Sequence, residues 1–337
     1  MRAWELTGSE GIDGLAMVER PIAAPGPGEA LVRVRAVSLN FRDLGPFRSA
    51  GGGVARPAGL IPLSDGAGEV VAVGTGVAGV APGDRVVGGF FRDWVSGPWK
   101  RRFRDSALGG GIDGVLAEHV VYRADTLVTI PASMSFEEAA TLPCAGVTAW
   151  NALWGGPTSL RPGDTVLVQG TGGVSILALQ LAKAAGARVV VTSSSESKLA
   201  VAASLGADAG VDRTAVDWEK QVAAAAGEAG IRVAVDVGGT DTLNRSLRTM
   251  GDGSCLAVVG GLSGGRPAVD LLVMISRDIT LRGVFVGPAS MLASVVAACA
   301  ANGIRPYLDR RFGFDDAPAA FAHMAAEAHV GKVVICL

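Results

Sequence analysis

The pattern of hydrophobic positions changes near residue 124 of this 337-residue chain. Before that point, short Val-rich stretches such as 30–37 and 69–73 are separated by Gly/Pro turns at 25–28 and 82–84. This texture is typical of a β-rich unit. Beyond residue 124, apolar strands alternate with Ala- and Leu-rich helical stretches, as in a parallel sheet covered on both faces. We therefore predict an α/β protein with a doubly wound parallel sheet and a second, β-rich domain.

The second region predicts strands at 165–169, 188–192, 233–237, 255–259 and 281–286, with helices in the gaps. The two clearest helices, 174–185 and 196–205, stop at Gly186 and Gly206, which can adopt the left-handed cap. Helices near 291–301 and 318–327 and a last strand at 332–336 follow. Because this tail is too short to fold alone, we expect it to pack on the N-terminal domain.

Composition excludes several classes of protein. Hydrophobic residues make up 49% of the chain, but they are interleaved with 48 glycines, and no apolar run approaches the roughly 20 residues of a membrane span. The N-terminal MRAWELTGSEG has no secretory pattern, so we expect a cytoplasmic protein. The formal net charge of −2 predicts no general attraction to nucleic acid or to a membrane.

Two smaller features do not change this picture. A basic cluster is formed by Lys100, Arg101, Arg102 and Arg104. We interpret it as a solvated loop that flanking Asp93 and Asp105 partly offset. The four cysteines lie too far apart for a disulfide framework or a local zinc knuckle.

A glycine-rich turn is the strongest chemical signal. In VLVQGTGGVSILALQ (166–180), Gly170, Gly172 and Gly173 separate an apolar strand from an amphipathic helix. Glycines permit the tight turn and let the backbone approach a pyrophosphate at the helix N-terminus. Ser175 is a small residue at the last position of the pattern. A chance match is the alternative in a Gly-rich chain, but the context favours a dinucleotide-binding Rossmann domain.

The tip of the next strand indicates which dinucleotide binds. Sites that prefer NAD carry an acidic residue roughly 20 residues further on, for the ribose 2′-hydroxyl. Residues 192–195 are Thr-Ser-Ser-Ser, and Lys198 follows Glu196. Because hydroxyls and a cation can surround a 2′-phosphate, Ser193, Ser194 and Lys198 predict NADPH (NADP⁺) rather than NADH. These serines can also cap the following helix.

Six segments carry a family resemblance: SLNFRDL (38–44), PLSDGAGEVVAVG (62–74), GDRV (83–86), SFEEAATLPCAGVTAWNAL (135–153), QGTGGVS (169–175) and GKVV (331–334). In this order the chain resembles the zinc-independent branch of medium-chain dehydrogenases/reductases, with quinone oxidoreductases, enoyl reductases and alcohol dehydrogenase-like proteins. The resemblance implies a GroES-like catalytic domain over 1–123 with 288–337 and a Rossmann NADP-binding domain over 124–287. It also implies a homodimer that pairs through an edge strand at 280–286.

The resemblance implies that no zinc is bound. Zinc-dependent members have a Cys near the position of Arg42, a His-Glu pair near Ser64 and Asp65, and a four-cysteine lobe. This chain has Ser64 in the His position and no cysteine within 93–113. No recognisable ligand set is formed by its histidines, His119, His323 and His329. We interpret His119, which lies in an apolar strand, as a core or pocket-wall residue.

The site residues follow from the same resemblance. Asn40, Arg42 and Asp43 are implied to be catalytic and to face the nicotinamide, with Arg42 orienting a substrate oxygen. An internal Arg–Asp pair that stiffens the loop is the alternative. Cofactor contacts are implied for a larger set: Thr148, Gly170, Thr171, Gly172, Gly173, Val174, Ser193, Ser194, Lys198, Gly260, Phe285, Val286 and Lys332.

Without zinc, such an enzyme depends on proximity and hydrogen-bond donors, which favours activated acceptors of a hydride. Reduction of an enone, quinone or unsaturated thioester is therefore the leading hypothesis. A metal-free NADP-dependent alcohol dehydrogenase or carbonyl reductase is one alternative. A non-catalytic nucleotide- or RNA-binding scaffold is the other, although the acidic pI near 6.0 argues against it.

The proton donor and the substrate stay open. The chain has only two tyrosines, Tyr122 and Tyr307, and Phe41 lies inside the loop, so solvent is a candidate donor. Loops around 41–60, 90–111 and 285–292 are expected to line the substrate. The insertion 90–111, with its aromatic residues Phe91, Trp94, Trp99 and Phe103, predicts either a lid or a packed loop.

Overall fold

The computed structural model describes residues 1–8, 14–47 and 57–337. Within them the chain forms two compact units. The first unit comprises Met1–Val147 and Gly287–Leu337, and the second comprises Thr148–Val286. Part of the expected substrate-lining segment 41–60, residues 48–56, lies outside the described residues.

The first unit is β-rich. It begins with an antiparallel hairpin of β1 (Arg2–Leu6) and β2 (Leu15–Glu19). A seven-stranded sheet has the order β14-β15-β3-β4-β5-β7, and β6 pairs with β3 as well. Its strands are β3 (Glu29–Ser38), β4 (Asp65–Val73), β5 (Arg85–Gly88), β6 (His119–Arg123), β7 (Leu127–Thr129), β14 (Leu308–Gly313) and β15 (Lys332–Cys336).

Alternating burial explains this sheet. Along β3, Ala30, Val32 and Val34 enter the core while the residues between them are less buried, as the period of two in a strand requires. The last strand, β15, pairs antiparallel with β3, with Val334 opposite Ser38. The C-terminal tail thus contributes a strand to the sheet of the first unit.

Helices surround this sheet. They are α1 (Phe136–Ala140), α8 (Ala289–Asn302) and α9 (Ala317–Ala325), with 3₁₀ turns at Phe41–Phe47, Arg101–Ser106, Ala124–Thr126 and Phe314–Asp316. A π-helical turn at Leu142–Gly146 leads into α2 (Val147–Trp154). The first unit extends beyond the predicted boundary at residue 123. The reason is that β7 pairs with β5 and α1 packs on β3 and β4, although the sequence texture changes earlier.

The second unit has the predicted Rossmann architecture. Its six strands are parallel in the order β10-β9-β8-β11-β12-β13. They are β8 (Thr165–Gln169), β9 (Arg188–Ser193), β10 (Ala209–Asp212), β11 (Ile231–Asp236), β12 (Met250–Val258) and β13 (Thr280–Gly283). The helices are α3 (Gly173–Ala184), α4 (Glu196–Ser204), α5 (Trp218–Ala226), α6 (Leu243–Thr249) and α7 (Leu271–Ser276).

Local signals in this unit are mostly confirmed. All of β8 is buried, as expected for a central parallel strand. The chain leaves α3 and α4 through Gly186 and Gly206 with φ of 78° and 99°, as predicted. One strand prediction was too long, because β13 ends at Gly283 and not at residue 286. Among the described residues, no helix has the length and apolar character to cross a membrane.

Candidate functional site

The NFRD segment, residues 40–43, follows β3 in the first unit and forms a 3₁₀ turn. Asp43 is fully buried, and its Oδ2 accepts the backbone N–H of Asn40 at 2.8 Å. A carboxylate that closes a turn in this way holds the backbone of the segment in one conformation. The geometry therefore gives Asp43 a supporting position in the turn.

The Arg42 side chain contacts the insertion 90–111. Its Nη1 donates to the carbonyl of Leu108 at 3.1 Å, and its guanidinium lies over the Phe90 ring at 4.6 Å. Gly110 lies close beside it, since a Cβ there would come within 2.5 Å of Nη2 of Arg42. The hydrogen bond to Leu108 and the contact with Phe90 hold the guanidinium.

Lys332 provides the main polar contact of the NFRD segment. It is 3% exposed, and its Nζ donates to the Leu39 carbonyl and to Oδ1 of Asn40, both at 2.6 Å. Because an ammonium group has donors only, Oδ1 of Asn40 must face it, and this fixes the amide orientation. Sequence reasoning assigned Lys332 to the cofactor and missed this role, since nothing in GKVV shows that β15 lies beside β3.

Asp65 is the buried carboxylate near this ammonium group. Its Oδ2 is 4.0 Å from Nζ of Lys332 and accepts the backbone N–H of Cys144 at 3.1 Å, while Oδ1 accepts from Ser64 at 2.6 Å. Complete burial raises the pKa of Asp65, and the charge of Lys332 and the Ser64 and Asn40 side chains oppose this rise. Leu63 precedes this pair with a φ of 69°, a strained conformation of the kind that concentrates at functional sites.

The insertion 90–111 is packed. Phe90, Phe91, Trp94 and Phe103 are each less than 8% exposed, whereas Trp99 is 39% exposed. Backbone hydrogen bonds join it to α8, from the N–H of residue 289 to the Trp94 carbonyl at 3.0 Å and from that of residue 290 to the next carbonyl at 2.9 Å. Of the two predicted alternatives, the described geometry is that of a packed element.

The basic cluster is exposed, as the expected solvation requires, although its segment is a 3₁₀ helix and not an irregular loop. Its residues belong to the Arg101–Ser106 3₁₀ helix or directly precede it. Asp93, which was expected to offset part of this charge, forms an ion pair with Arg123 at 3.6 Å.

The glycine turn of the second unit has the geometry that a dinucleotide site needs. Gly170 follows β8 with a φ of 75°, and its N–H donates to the Thr192 carbonyl at 2.8 Å. Gly172 precedes α3, and no atom lies within 4 Å of the position of a Cβ there. This open space lies at the N-terminus of α3, where N–H groups without intrahelical partners point outward.

The remaining residues of this turn have distinct positions. Thr171 is buried, and Gly173 and Val174 form the first positions of α3. Ser175 donates from Oγ to the Gln169 carbonyl at 2.8 Å. The small residue that replaces the last glycine thus connects the strand to the helix.

At the C-terminal end of β9 the predicted capping role of a serine is confirmed, and one further candidate residue is found. Ser195 caps α4, with its Oγ accepting the backbone N–H of Lys198 at 3.4 Å, and Ser193 is buried beside it. Arg213, at the end of the neighbouring β10, donates from Nη2 to Oγ of Ser194 at 3.3 Å. Sequence reasoning missed Arg213, because only the strand order brings it to Ser194.

A buried chain of hydrogen bonds joins the C-terminal ends of β8 and β9. Thr192 donates to Oε1 of Gln169, Nε2 of Gln169 donates to Oγ of Ser246 at 2.9 Å, and Ser246 donates to Oδ2 of Asp236 at 3.0 Å. All four side chains are at most 2% exposed. The donors point in one direction along the chain and end on a carboxylate, an arrangement in which hydrogen bonds reinforce one another.

A second group of predicted site residues lies on α2 and around Val286. Thr148 is 3% exposed on α2, one turn before Asn151. Asn151 donates from Nδ2 to the Val286 carbonyl at 2.5 Å and accepts from Arg282 on Oδ1 at 2.6 Å. Val286 has a φ of 55°, rare for a β-branched residue, so this contact holds a strained backbone.

The last two predicted site residues of the second unit are Phe285 and Gly260. Phe285 directly precedes this strained position and is 48% exposed. Gly260 follows β12, and a Cβ there would lie 3.0 Å from the Val237 carbonyl. The structure therefore groups Asn40, Arg42, Asp43 and Lys332 in the first unit and the other predicted site residues in the second. Within the described residues, no group of three or more His, Cys, Asp and Glu side chains forms a metal-binding cluster.

A β-rich unit and a six-stranded Rossmann unit with an open glycine turn define a nucleotide-binding dehydrogenase. Comparisons with known proteins agree. Residues 26–132 match the family model of the alcohol dehydrogenase GroES-like domain, and residues 173–301 match that of the zinc-binding dehydrogenases.

Curated relatives extend over nearly the whole chain. A zinc-type alcohol dehydrogenase-like protein of Schizosaccharomyces pombe is 40% identical over 92% of this chain and 91% of its own length. The acryloyl-coenzyme A reductase of Metallosphaera sedula is 29% identical over 92% of this chain and 93% of its own length.

Solved structures show the same fold. A candidate alcohol dehydrogenase of Sinorhizobium meliloti superposes with a TM-score of 0.91 at 39% identity, covering 100% of this chain and 98% of its own. A mycobacterial protein in complex with NADPH superposes with a TM-score of 0.80 at 27% identity, covering 100% of both chains. The chain belongs to the medium-chain dehydrogenase/reductase superfamily and is an oxidoreductase of that family.

Proposed function

We propose that the protein is a zinc-independent, NADPH-dependent oxidoreductase that reduces an activated acceptor, namely an enone, quinone or unsaturated thioester. The observation that carries the proposal is the buried Lys332–Asn40–Asp65 arrangement. In it, a side-chain ammonium group supplies the positive charge beside the NFRD segment.

The residues around this ammonium group do not fit a zinc ion. Structural and catalytic zinc sites use thiolate, imidazole and carboxylate ligands in tetrahedral geometry. Here both carboxylate oxygens of Asp65 already accept hydrogen bonds, and Nζ of Lys332 lies 4.0 Å away, where it would repel a dication. Burial, followed by the charge of Asp65, raises the pKa of the Cys144 thiol and disfavours its thiolate.

The residues of the second unit fit NADPH. The glycine turn and the N-terminus of α3 would receive the pyrophosphate. At the tip of β9, Ser194, Lys198 and Arg213 offer hydroxyl and cationic donors to a 2′-phosphate, and Arg213 is exposed there. The relative solved with NADPH supports the same choice.

Thr148, Phe285 and Val286 remain proposed contacts for the nicotinamide end of the cofactor. When bound, NADPH supplies the hydride. Conjugate reduction then places negative charge on the acceptor oxygen, and a fixed guanidinium can stabilise that charge. Arg42 is the proposed donor, since Leu108 and Phe90 hold it in place.

The proton that completes the reduction is proposed to come from solvent. Tyr122 is 4% exposed within the core of the first unit, and burial raises its pKa. A buried phenol with that shift is a poor proton donor to a substrate.

The test is NADPH oxidation by purified, chelator-treated protein, comparing an α,β-unsaturated ketone with its saturated partner. We expect turnover of the unsaturated ketone alone, with no gain on adding zinc. Turnover of the saturated ketone would instead assign carbonyl reduction, and strict dependence on added zinc would refute the metal-free reaction.

We also propose a homodimer that pairs through β13, which is the edge strand of its sheet. Three exposed apolar side chains on the preceding helix α7 support this, namely Leu271, Leu272 and Ile275, at 63%, 79% and 76% exposure. A dimer would remove them from water. Light scattering should show a dimer for the wild type and a monomer for Leu272→Glu/Ile275→Glu; a monomeric wild type would refute it.

A further inference from the structure

The insertion 90–111 carries four neighbouring cations. We call Lys100, Arg101, Arg102 and Arg104 the basic patch; all four are exposed. Across the described ranges, none of them forms an ion pair with a carboxylate. Elsewhere in the first unit carboxylates pair with most other arginines, for example Arg2, Arg20, Arg33, Arg35, Arg92 and Arg123. The patch therefore presents four exposed cations without an ion-pair partner in the described parts of the chain, with Asp105 next to Arg104, on a chain whose net charge is −2.

The patch stands on a rigid base. Phe103, in the middle of the Arg101–Ser106 turn, is 7% exposed and stacks on Trp94 with 5.7 Å between ring centroids and 9° between planes. Ser106 donates from Oγ to the Phe103 carbonyl at 2.8 Å. A solvated face does not require such anchoring, whereas a binding site gains from it because fewer conformations are lost on binding.

An aromatic ring adjoins the cations. Trp99 directly precedes Lys100, is 39% exposed, and lies 5.0 Å from Trp94 and 6.1 Å from Phe103 between ring centroids. Arginine and lysine bind phosphate groups, and an exposed indole stacks on a nucleobase. The combination fits a ligand with several phosphates and a purine.

The patch is connected to Arg42 by packed rings. Successive centroid distances are 4.6 Å from the Arg42 guanidinium to Phe90, 4.6 Å to Phe91 and 5.5 Å to Trp99. Trp99 is thus no farther from Arg42 than these three steps combined. A pantetheine arm extends about 14 Å, at roughly 3.5 Å for each three-atom unit of an extended chain, which is of the same order as this upper bound.

We propose that the basic patch and Trp99 bind the adenosine 3′-phosphate and pyrophosphate of coenzyme A, so that the acceptor is an enoyl-CoA thioester. This inference rests on the proposed reduction of an activated acceptor with Arg42 at the reacting end. It assigns the substrate handle to residues of the first unit.

The first experiment compares crotonyl-CoA with crotonyl-N-acetylcysteamine, which has the same double bond but no nucleotide. The patch variant is Lys100→Gln/Arg101→Gln/Arg102→Gln/Arg104→Gln. Its control is Arg310→Gln/Arg311→Gln, two exposed arginines on β14 of the same unit. We expect the patch variant to lose about tenfold in kcat/KM for the CoA thioester, less at high salt, and to keep the short thioester within twofold.

A second measurement does not require turnover. Adenosine 3′,5′-bisphosphate should bind to protein already saturated with NADP⁺, as measured by calorimetry. The patch variant and Trp99→Leu should weaken this binding, and the Arg310/Arg311 control should not. Equal melting temperatures for the variants would exclude misfolding as the cause.

Several results would overturn the inference. They are an equal loss for both thioesters or no loss for either. If the wild type oxidises NADPH with neither thioester nor enone, the proposed function fails, and the bisphosphate measurement alone decides the patch. Absence of bisphosphate binding in the wild type would then refute it.

Discussion

Replacing Lys332 by methionine tests whether its buried ammonium group organises the first unit. Methionine keeps most of the apolar stem, but it leaves Oδ1 of Asn40 and the Leu39 carbonyl without their donor and Asp65 without its cation. Removing one partner of a buried, hydrogen-bonded charge pair typically costs about 3–5 kcal/mol. At about 2–4 °C per kcal/mol for a unit of this size, the melting temperature should fall by about 10 °C.

Urea unfolding and NADPH-dependent turnover measure the two consequences. We expect a free energy of unfolding lower by about 3–5 kcal/mol, and a kcat/KM at least about tenfold lower, since Asn40 loses its fixed orientation. Lys220→Met, at an exposed position, is the control and should change stability by less than about 0.5 kcal/mol.

A double-mutant cycle with Asp65→Asn separates the pair from general loss of packing. If the charges act together, the double variant should be less destabilised than the sum of the single variants, by about 0.5–3 kcal/mol. A loss below about 1 kcal/mol for Lys332→Met, or strict additivity, would refute the reasoning.

Two further predictions concern the second unit. Arg213→Ala should weaken the binding of NADPH by about 1.5–3 kcal/mol and leave the binding of NADH nearly unchanged, because only the 2′-phosphate meets the guanidinium. Fluorescence titration measures both affinities, and equal losses for the two cofactors would contradict the prediction. Burial alone would raise the pKa of Asp208, but hydrogen bonds from Lys183 and the backbone of Val189 outweigh it and hold the pKa below its usual value. The ionised carboxylate therefore stabilises the fold above about pH 4 and this contribution is lost as the pH falls through the lowered folded pKa; Asp208→Asn should remove it, and an unchanged acid-unfolding profile would contradict it.

Most strands and helices of the second unit were predictable because each is a local pattern, whereas β10 was not predicted. β8 spans the predicted residues, and the ends of α3 and α4 follow from Gly186 and Gly206. The glycine turn was predictable for the same reason, since its turn, strand and helix are contiguous in the chain. The strand predicted at 281–286 was too long because local patterns do not show where pairing ends. Apolar residues continue past Gly283, but pairing with β12 ends there.

The arrangement of side chains in both units depended on segments that are distant in the sequence. Lys332 is separated from Asn40 by most of the chain, and only the pairing of β15 with β3 brings its ammonium group to the amide. Arg213 reaches Ser194 because β10 and β9 are neighbours, and Asp93 turns to Arg123 rather than to the basic patch. The hydrophobic periodicity of the sequence does not reveal these contacts, because sequence spacing does not determine which strands pair.

The sequence by itself therefore determined the fold class, the dinucleotide turn and the residue types of the NFRD segment, all of which depend on contiguous residues. Only the tertiary structure decided that the insertion is packed, that its four cations form no ion pair within the described residues, and that Lys332 holds Asn40. The physical reason is that electrostatic partners and buried hydrogen bonds are set by distance in space, and strand pairing creates that proximity after the local elements exist.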